Sequence, residues 1–284
     1  MRPTQEGALE ALVERIDGVA PGGVAPDTVP SGFQSLDRML GGGFRREDLI
    51  VLGGDVGSGK SALGLAIALR SAIAGVPTLV LSGEMSPERV LERALAMEGR
   101  AAIDDLRQGR LDEAGRASVG AAAVRLRDVP LLLRPLAGER IEEVTESLDQ
   151  VPGRSLLVVD SLQLMPAPRP AARLAERVVL ATRALKALAV ERSLAVLALA
   201  QLPGLRRDRP DPRPTLDDLG ALGAIKQSAD LVLTLYREEM YRPGHGVEGA
   251  TELIVAKNRN GPTGFVDLYF HPRMMRFEDM LDPG

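Results

Sequence analysis

An apolar run, Leu49 to Gly53, leads into GDVGSGKS, Gly54 to Ser61, and an Ala/Leu-rich helical pattern begins at Lys60. No other stretch of the chain restricts its fold as strongly. The spacing fits G-x-x-x-x-G-K-[ST], in the strand–loop–helix setting that this pattern requires. Glycines let backbone N–H groups wrap phosphate oxygens, and the positive end of the following helix faces their charge. Gly54, Asp55, Val56, Gly57, Ser58, Gly59, Lys60 and Ser61 are therefore the candidate nucleotide-binding residues. Lys60 is placed to reach the terminal phosphates of ATP, and the Ser61 hydroxyl to ligate Mg²⁺.

Composition limits what else the chain can hold. Its 284 residues are 45% hydrophobic, enough for a well-buried core, and a formal net charge of -4 argues against wholesale adhesion to nucleic acid or membrane. Any anion site must be local. With no Cys and only His245 and His271, a thiolate or histidine metal site is not expected, so the metal should be oxygen-ligated and arrive with the substrate. The amino terminus lacks a signal-peptide core, and the longest apolar runs, such as Leu194 to Leu202, are too short to span a bilayer. A cytoplasmic protein is expected.

Apolar positions at helical spacing predict an amphipathic helix over residues 5–17, and the Pro/Gly-dense stretch Gly18 to Gly32 reads as a linker or arm. The division expected is residues 1–28 as helix and arm, and 29–284 as one α/β domain. Strands are predicted at Leu49–Gly53, Thr78–Ser82, Leu131–Arg134, Leu156–Asp160, Ala195–Ala200, Leu231–Tyr236, Thr251–Lys257 and Gly264–His271. Helices are predicted at Lys60–Ala74, Pro87–Glu98, Asp112–Leu126, Ile141–Gln150 and Ala172–Arg192. Continuous apolar strands alternating with helices imply a mostly parallel central sheet covered on both faces. The short connection between the last two strands implies an antiparallel edge hairpin.

Two carboxylates stand where triphosphate chemistry needs them. Asp160 ends the apolar strand of SLLVVD, a position from which an acid can hold Mg²⁺ beside the phosphate loop. Glu84, in LSGEMS just past another strand, suits the orientation and deprotonation of an attacking water. The competing reading makes Glu84 a helix-capping acid, since Ser86-Pro87-Glu88 reads as the N-cap and first turn of the next helix.

Taken in order, PSGFQSLDRMLGGGFRREDLIVLGG, the phosphate loop, SGEMS, MEGRAAIDDLRQGRL, VVDSLQLM, RALKALA, LALAQL, AIKQSADLVLTLYREEMY and IVAKNRNGPTG resemble the RecA-like ATPase domain of DnaB-type replicative helicases. The match runs from about Val29 to Phe277. GGGF and LSGE are also similar to the RadA and KaiC branches of the same superfamily. The resemblance implies a RecA-like P-loop NTPase fold and an ATP- and Mg²⁺-dependent motor, a homo-oligomer built as a hexameric ring or a filament, that moves on single-stranded DNA. It implies Glu84 as catalytic base and Gln201 as the sensor of the terminal phosphate. Lys257 and Arg259, in AKNRNG, would reach the ATP of the adjacent subunit. A RadA-like recombination or repair ATPase and a KaiC-like regulatory ATPase with protein partners are the alternatives.

The segment Pro203 to Thr215 sits where the family carries its DNA loop, and Arg206, Arg207, Arg209 and Arg213 lie in it; Arg169 and Arg173 lie on a second candidate loop. Rings of such cations can bind phosphates without reading sequence. The chain departs from the family at Pro203-Gly204 and at DLGALGAIKQ, which carries Gly220. Residues 1–28 also give no counterpart to the family's helical amino-terminal collar domain, so a separate collar or loader protein is expected. Tyr236 and Tyr241 are read as packing residues rather than as stacking partners of the base.

Overall fold

The strand that precedes the phosphate loop lies at the centre of the molecule. The computed structural model describes residues 5–17, 27–136, 142–151, 153, 155–165, 173–203, 209–219, 223–244 and 246–280. A helix, α1 (Gln5–Asp17), and a short strand, β1 (Thr28–Val29), come first; α2 (Gln34–Met39) and β2 (Phe44–Arg45) lead to the central strand β3 (Leu49–Gly54). Then follow α3 (Lys60–Ile73), β4 (Thr78–Ser82), α4 (Pro87–Glu98), α5 (Ile103–Arg107), α6 (Glu113–Arg127), β5 (Leu131–Pro135), α7 (Glu142–Asp149) and β6 (Leu156–Asp160). The carboxyl half holds α8 (Leu174–Arg192), β7 (Ala195–Gln201), α9 (Gly223–Ser228), β8 (Leu231–Arg237), β9 (Ala250–Asn258), β10 (Gly264–His271) and β11 (Arg276–Asp279).

The main sheet has nine strands in the order β11-β10-β9-β8-β3-β7-β6-β4-β5. From β8 to β5 every pairing is parallel, and β9, β10 and β11 add antiparallel strands on one side. The alternation of side chains along each strand builds two separate cores. Ile50 and Leu52 of β3 face α3 and join its Leu63 and Ile67, whereas Leu49 and Val51 face α8 and join its Val178 and Leu185. All six strand and helix residues Ile50, Leu52, Leu63, Ile67, Leu49 and Val51 are fully buried. At about 1.5–3 kcal/mol for each large aliphatic side chain, these two layers dominate the stability of the domain.

Helix starts follow local chemistry. Ser86 caps α4 by accepting from the backbone N–H of Arg89, with Pro87 in the first turn, and Asp112 Oδ1 accepts from Gly115 N at 2.7 Å to start α6. Along α1, Leu9, Leu12 and Val13 are exposed. Among the described residues, no helix is long and apolar enough to cross a membrane.

Two features differ from expectation. The end of the Pro/Gly-rich stretch is built into the domain: Thr28–Val29 pairs with Phe44–Arg45, and Val29 and Phe33 are fully buried. Gly43 is required there, since a Cβ would fall 2.4 Å from the Val29 carbonyl oxygen. The edge hairpin also gains a third strand, β11, whose four residues RFED are too short and too charged to register as a strand pattern. Phe277 holds that strand in place by burying completely and stacking on Phe270 at 4.4 Å.

Candidate nucleotide-binding and catalytic site

The carboxyl ends of β3, β4, β6 and β7 converge at the start of α3, as the parallel register demands. Gly54 and Gly59 set the shape of the loop between β3 and α3. A Cβ on Gly54 would meet Ser58 Oγ at 2.4 Å, and Gly59 adopts φ 97° as the N-cap of α3, where a Cβ would meet Phe277 at 3.0 Å. Only glycine satisfies both positions. The loop and its neighbours line a pocket of about 440 Å³ that includes Val56, Gly57, Gly59, Lys60, Ser61, Glu84, Arg93 and Gln201. The side chains expected to share one site are thus brought together from β3, β4, β7 and α3.

Asp160 lies against this pocket. It is 5% exposed, the Ser61 hydroxyl hydrogen-bonds its carboxylate, and Oδ1 is buried with no hydrogen-bond partner. Burial pushes this carboxyl above the usual carboxylate range, Ser61 opposes the shift, and the Glu84 charge adds to it. A buried carboxylate oxygen left orphaned beside a hydroxyl is a donor set suited to a hard, oxygen-seeking divalent cation. Ser61 and Asp160 therefore fit the Mg²⁺ that accompanies a triphosphate. Gln201 ends β7 with its backbone clasped by the side chain of Gln163, through contacts of 3.4 Å in both directions.

Two cations of the pocket were not anticipated. Arg93 reaches in from α4, with a buried Nε that has no hydrogen-bond partner. Burial draws the Arg93 guanidinium below its ordinary range, neighbouring Arg107 adds to this, and Asp160 and Glu84 pull it back. The signal was present in the spacing: Val90, Ala94 and Met97 are the buried stripe of α4, and Arg93 falls within that stripe. A charge on an apolar stripe aims inward. Arg237 leaves the end of β8, donates to the Gly57 carbonyl at 3.2 Å, pairs with Glu239 and lies over the Phe270 ring. It clamps the phosphate loop from outside, and only the three-dimensional return of β8 beside β3 reveals it.

Lys257 and Arg259 sit elsewhere. Because β8 is parallel to β3 and β9 runs back along it, with Leu231 opposite Asn258, these residues lie at the amino end of β3. The phosphate loop lies at its carboxyl end, roughly 15–20 Å away at the rise of a six-residue strand. Within one chain they do not line the pocket that chain builds.

The arginines expected on DNA divide into two groups. Arg209 pairs through both Nη atoms with the buried Asp218 carboxylate, and Arg213 is bidentate on Glu252 of β9 while its guanidinium lies over the Tyr236 ring. This corrects the expectation of four equivalent phosphate-binding arginines, since local carboxylates already occupy these two. Arg173, the N-cap residue of α8, is exposed. Arg169, Arg206 and Arg207 lie outside the described residues. Tyr236 is buried and stacks on Tyr241 at 5.3 Å, away from the pocket, in line with the packing reading.

A family model for the DnaB-like helicase C terminal domain matches residues 28–279. The chain belongs to this family. The replicative DNA helicase DnaB of Leifsonia xyli subsp. xyli is 34% identical over 256 residues, covering 89% of this chain and 56% of that protein. The replicative DNA helicase DnaB of Pasteurella multocida is 32% identical over 283 residues, covering 96% and 60%. The chain thus spans less than two thirds of the length of these curated relatives. Among solved structures, an ATPase domain determined on its own matches with a TM-score of 0.89 at 26% identity, over 99% of this chain and 100% of that one. A DnaB-like replicative helicase, solved in a study of its interactions with primase, matches with a TM-score of 0.89 at 27% identity, over 98% of this chain and 69% of that one. The RecA-like fold expected from the ordered sequence blocks is the fold of the family and of this chain.

Proposed function

We propose that this DnaB-family domain is a cytoplasmic, Mg²⁺-dependent ATPase that works as a homo-oligomeric motor on single-stranded DNA. The observation that carries the reading is the split between the two halves of its chemistry. Lys60, Ser61, Glu84, Arg93 and Gln201 line one pocket, while Lys257 and Arg259 lie at the far end of the sheet. Cations so placed suit the phosphates bound by a neighbouring subunit, as in a ring or filament.

In this reading the backbone N–H groups of residues 54–61 and the Lys60 ammonium bind the β- and γ-phosphates. Ser61 and Asp160 would hold Mg²⁺, whose chemistry is to neutralise charge on the phosphate oxygens. Glu84 orients the attacking water and takes its proton. Arg93 and Gln201 donate to the terminal phosphoryl oxygens as charge redistributes, and Arg259 of the neighbour adds positive charge from the other side. Arg206, Arg207, Arg169 and Arg173 are the phosphate contacts proposed for DNA, and Arg209 and Arg213 join them only by surrendering Asp218 and Glu252. The exposed apolar residues of α1 suit docking against another subunit, and a collar or loader protein would be a further partner.

The test is ATP turnover by the full chain with and without a single-stranded oligonucleotide. A several-fold stimulation by DNA is expected, together with loss of turnover in Lys60→Ala. ATP turnover indifferent to DNA but altered by a protein partner would replace the motor with a regulatory ATPase.

A further inference from the structure

Asp230 begins the turn into β8 at the amino end of the sheet, and it is a carboxylate that the nucleotide pocket does not use. It is only 2% exposed, yet it holds two cations. Oδ1 accepts from Arg259 Nη1 at 2.9 Å; Oδ2 accepts from Lys186 Nζ at 2.7 Å and from the Leu49 N–H at 2.9 Å. Lys186 Nζ also donates to the Glu47 carbonyl at 2.7 Å. Arg259 Nη2 donates to the Gln227 carbonyl at 3.0 Å, and Lys257 Nζ to the carbonyls of Lys226 and Ala229 at 2.5 and 2.6 Å. Beside them Asp48 accepts from Asn260 Nδ2 at 2.8 Å, so two carboxylates balance Lys186 and Arg259.

The two cations are not equivalent. The Arg259 side chain is 51% exposed and ends on the surface, whereas that of Lys186 is 26% exposed and is pinned between Asp230 and a backbone carbonyl. Arg259 is the one that can leave. A buried carboxylate stripped of its sole cation is strongly destabilised, so an arginine that was its only partner would be reluctant to go. With Lys186 in place the carboxylate stays compensated after the arginine departs.

We propose that Asp230 and Lys186 form a positioning device for Arg259. Asp230 presents the guanidinium at the subunit edge, and Lys186 keeps that carboxylate neutralised while Arg259 turns to the phosphate held by the neighbouring subunit. The inference rests on Arg259 acting in trans. Lys186 is a positioning residue, since it touches neither nucleotide nor reacting atoms.

Lys186→Met tests this in the full chain. Its thermal melt and its KM for ATP are expected to stay near wild type, while kcat falls by about tenfold, a fraction of what loss of such a finger costs. Lys186→Arg should restore the rate. Mixing Lys186→Met with Glu84→Gln subunits, which cannot hydrolyse but carry an intact finger, should recover turnover at the Lys186→Met pockets. Wild-type kcat in Lys186→Met, or a loss that mixing leaves unrepaired, would overturn the proposal. If Lys186→Met folds poorly, Lys186→Gln removes the charge and keeps a donor for Glu47, with the same outcomes read. Arg259→Ala mixed with Glu84→Gln is the control: without complementation there, the trans reading itself falls and takes the role of Lys186 with it.

Discussion

At the scale of single residues, the acid that flanks this device carries a pH signature. Burial, and next the charge of Asp230, push the Asp48 carboxyl up to about 6, against a usual value of 3.8. The folded state therefore binds the Asp48 proton more tightly than the unfolded chain does. The stability Asp48 contributes is fully present below the unfolded value and is lost as pH rises through about 6. At neutral pH the ionised group is a cost. Asp48→Asn keeps an acceptor for Asn260 and removes that charge, so it is expected to raise Tm at about pH 7.5. The gain should shrink through about pH 5 and vanish near pH 4, where both states of the wild type are protonated. Thermal melts at three pH values check this, and a constant gap across the range would refute the assignment.

At the scale of elements, the segment after β7 is tethered at its far end. Arg213 lies on Glu252 and on the Tyr236 ring, and Arg209 on Asp218, which also accepts from the Thr215 N–H at 2.7 Å. The carboxyl end of this segment is thus stapled to β9, and the DNA-facing charge is concentrated on Arg206 and Arg207. Arg206→Ala/Arg207→Ala is expected to lower single-strand affinity and flatten its salt dependence by about 1.4 in the log–log slope, at about 0.7 per lost phosphate contact. Arg213→Ala should leave that slope unchanged and instead lower stability by about 1 kcal/mol, the worth of a half-exposed bidentate pair with a ring beneath it. Fluorescence anisotropy over a salt series separates the two. An equal drop in slope for Arg213→Ala would return that residue to the DNA surface.

The same scale explains what was legible from the chain alone. The strand runs Leu49–Gly53, Leu156–Asp160 and Ala195–Ala200 are buried on both faces, so their apolar continuity announced them. Glu84 and Gln201 could be placed at the pocket because each follows or ends such a strand, and parallel strands deliver their carboxyl ends to one edge. Short elements such as α5, α9 and β11 escaped because four to six residues do not complete a periodic pattern. Arg237, Lys186 and Asp230 escaped for a different reason. Their partners are Gly57, Glu47 and Arg259, distant in sequence, and no local pattern records a tertiary hydrogen bond.

At the scale of the whole molecule, one consequence of the strand order governs activity. The sheet separates the phosphate loop, at the carboxyl end of β3, from Lys257 and Arg259 at its amino end, and the strands between are fully buried and cannot bend to bring them together. A lone chain can bind nucleotide with Lys60 and Ser61, yet it lacks the finger that speeds hydrolysis. Turnover should therefore require contact between subunits whereas nucleotide binding should not. On dilution, specific ATPase activity is expected to fall, giving a rate that rises more steeply than linearly with protein concentration until assembly saturates. Affinity for a fluorescent nucleotide analogue should change far less over the same range. Single-stranded DNA, by holding subunits side by side, should shift the activity curve to lower protein concentration. A rate strictly proportional to concentration down to nanomolar levels, with no oligomer detectable by light scattering, would mean that one chain completes its own site and that Arg259 serves only the fold.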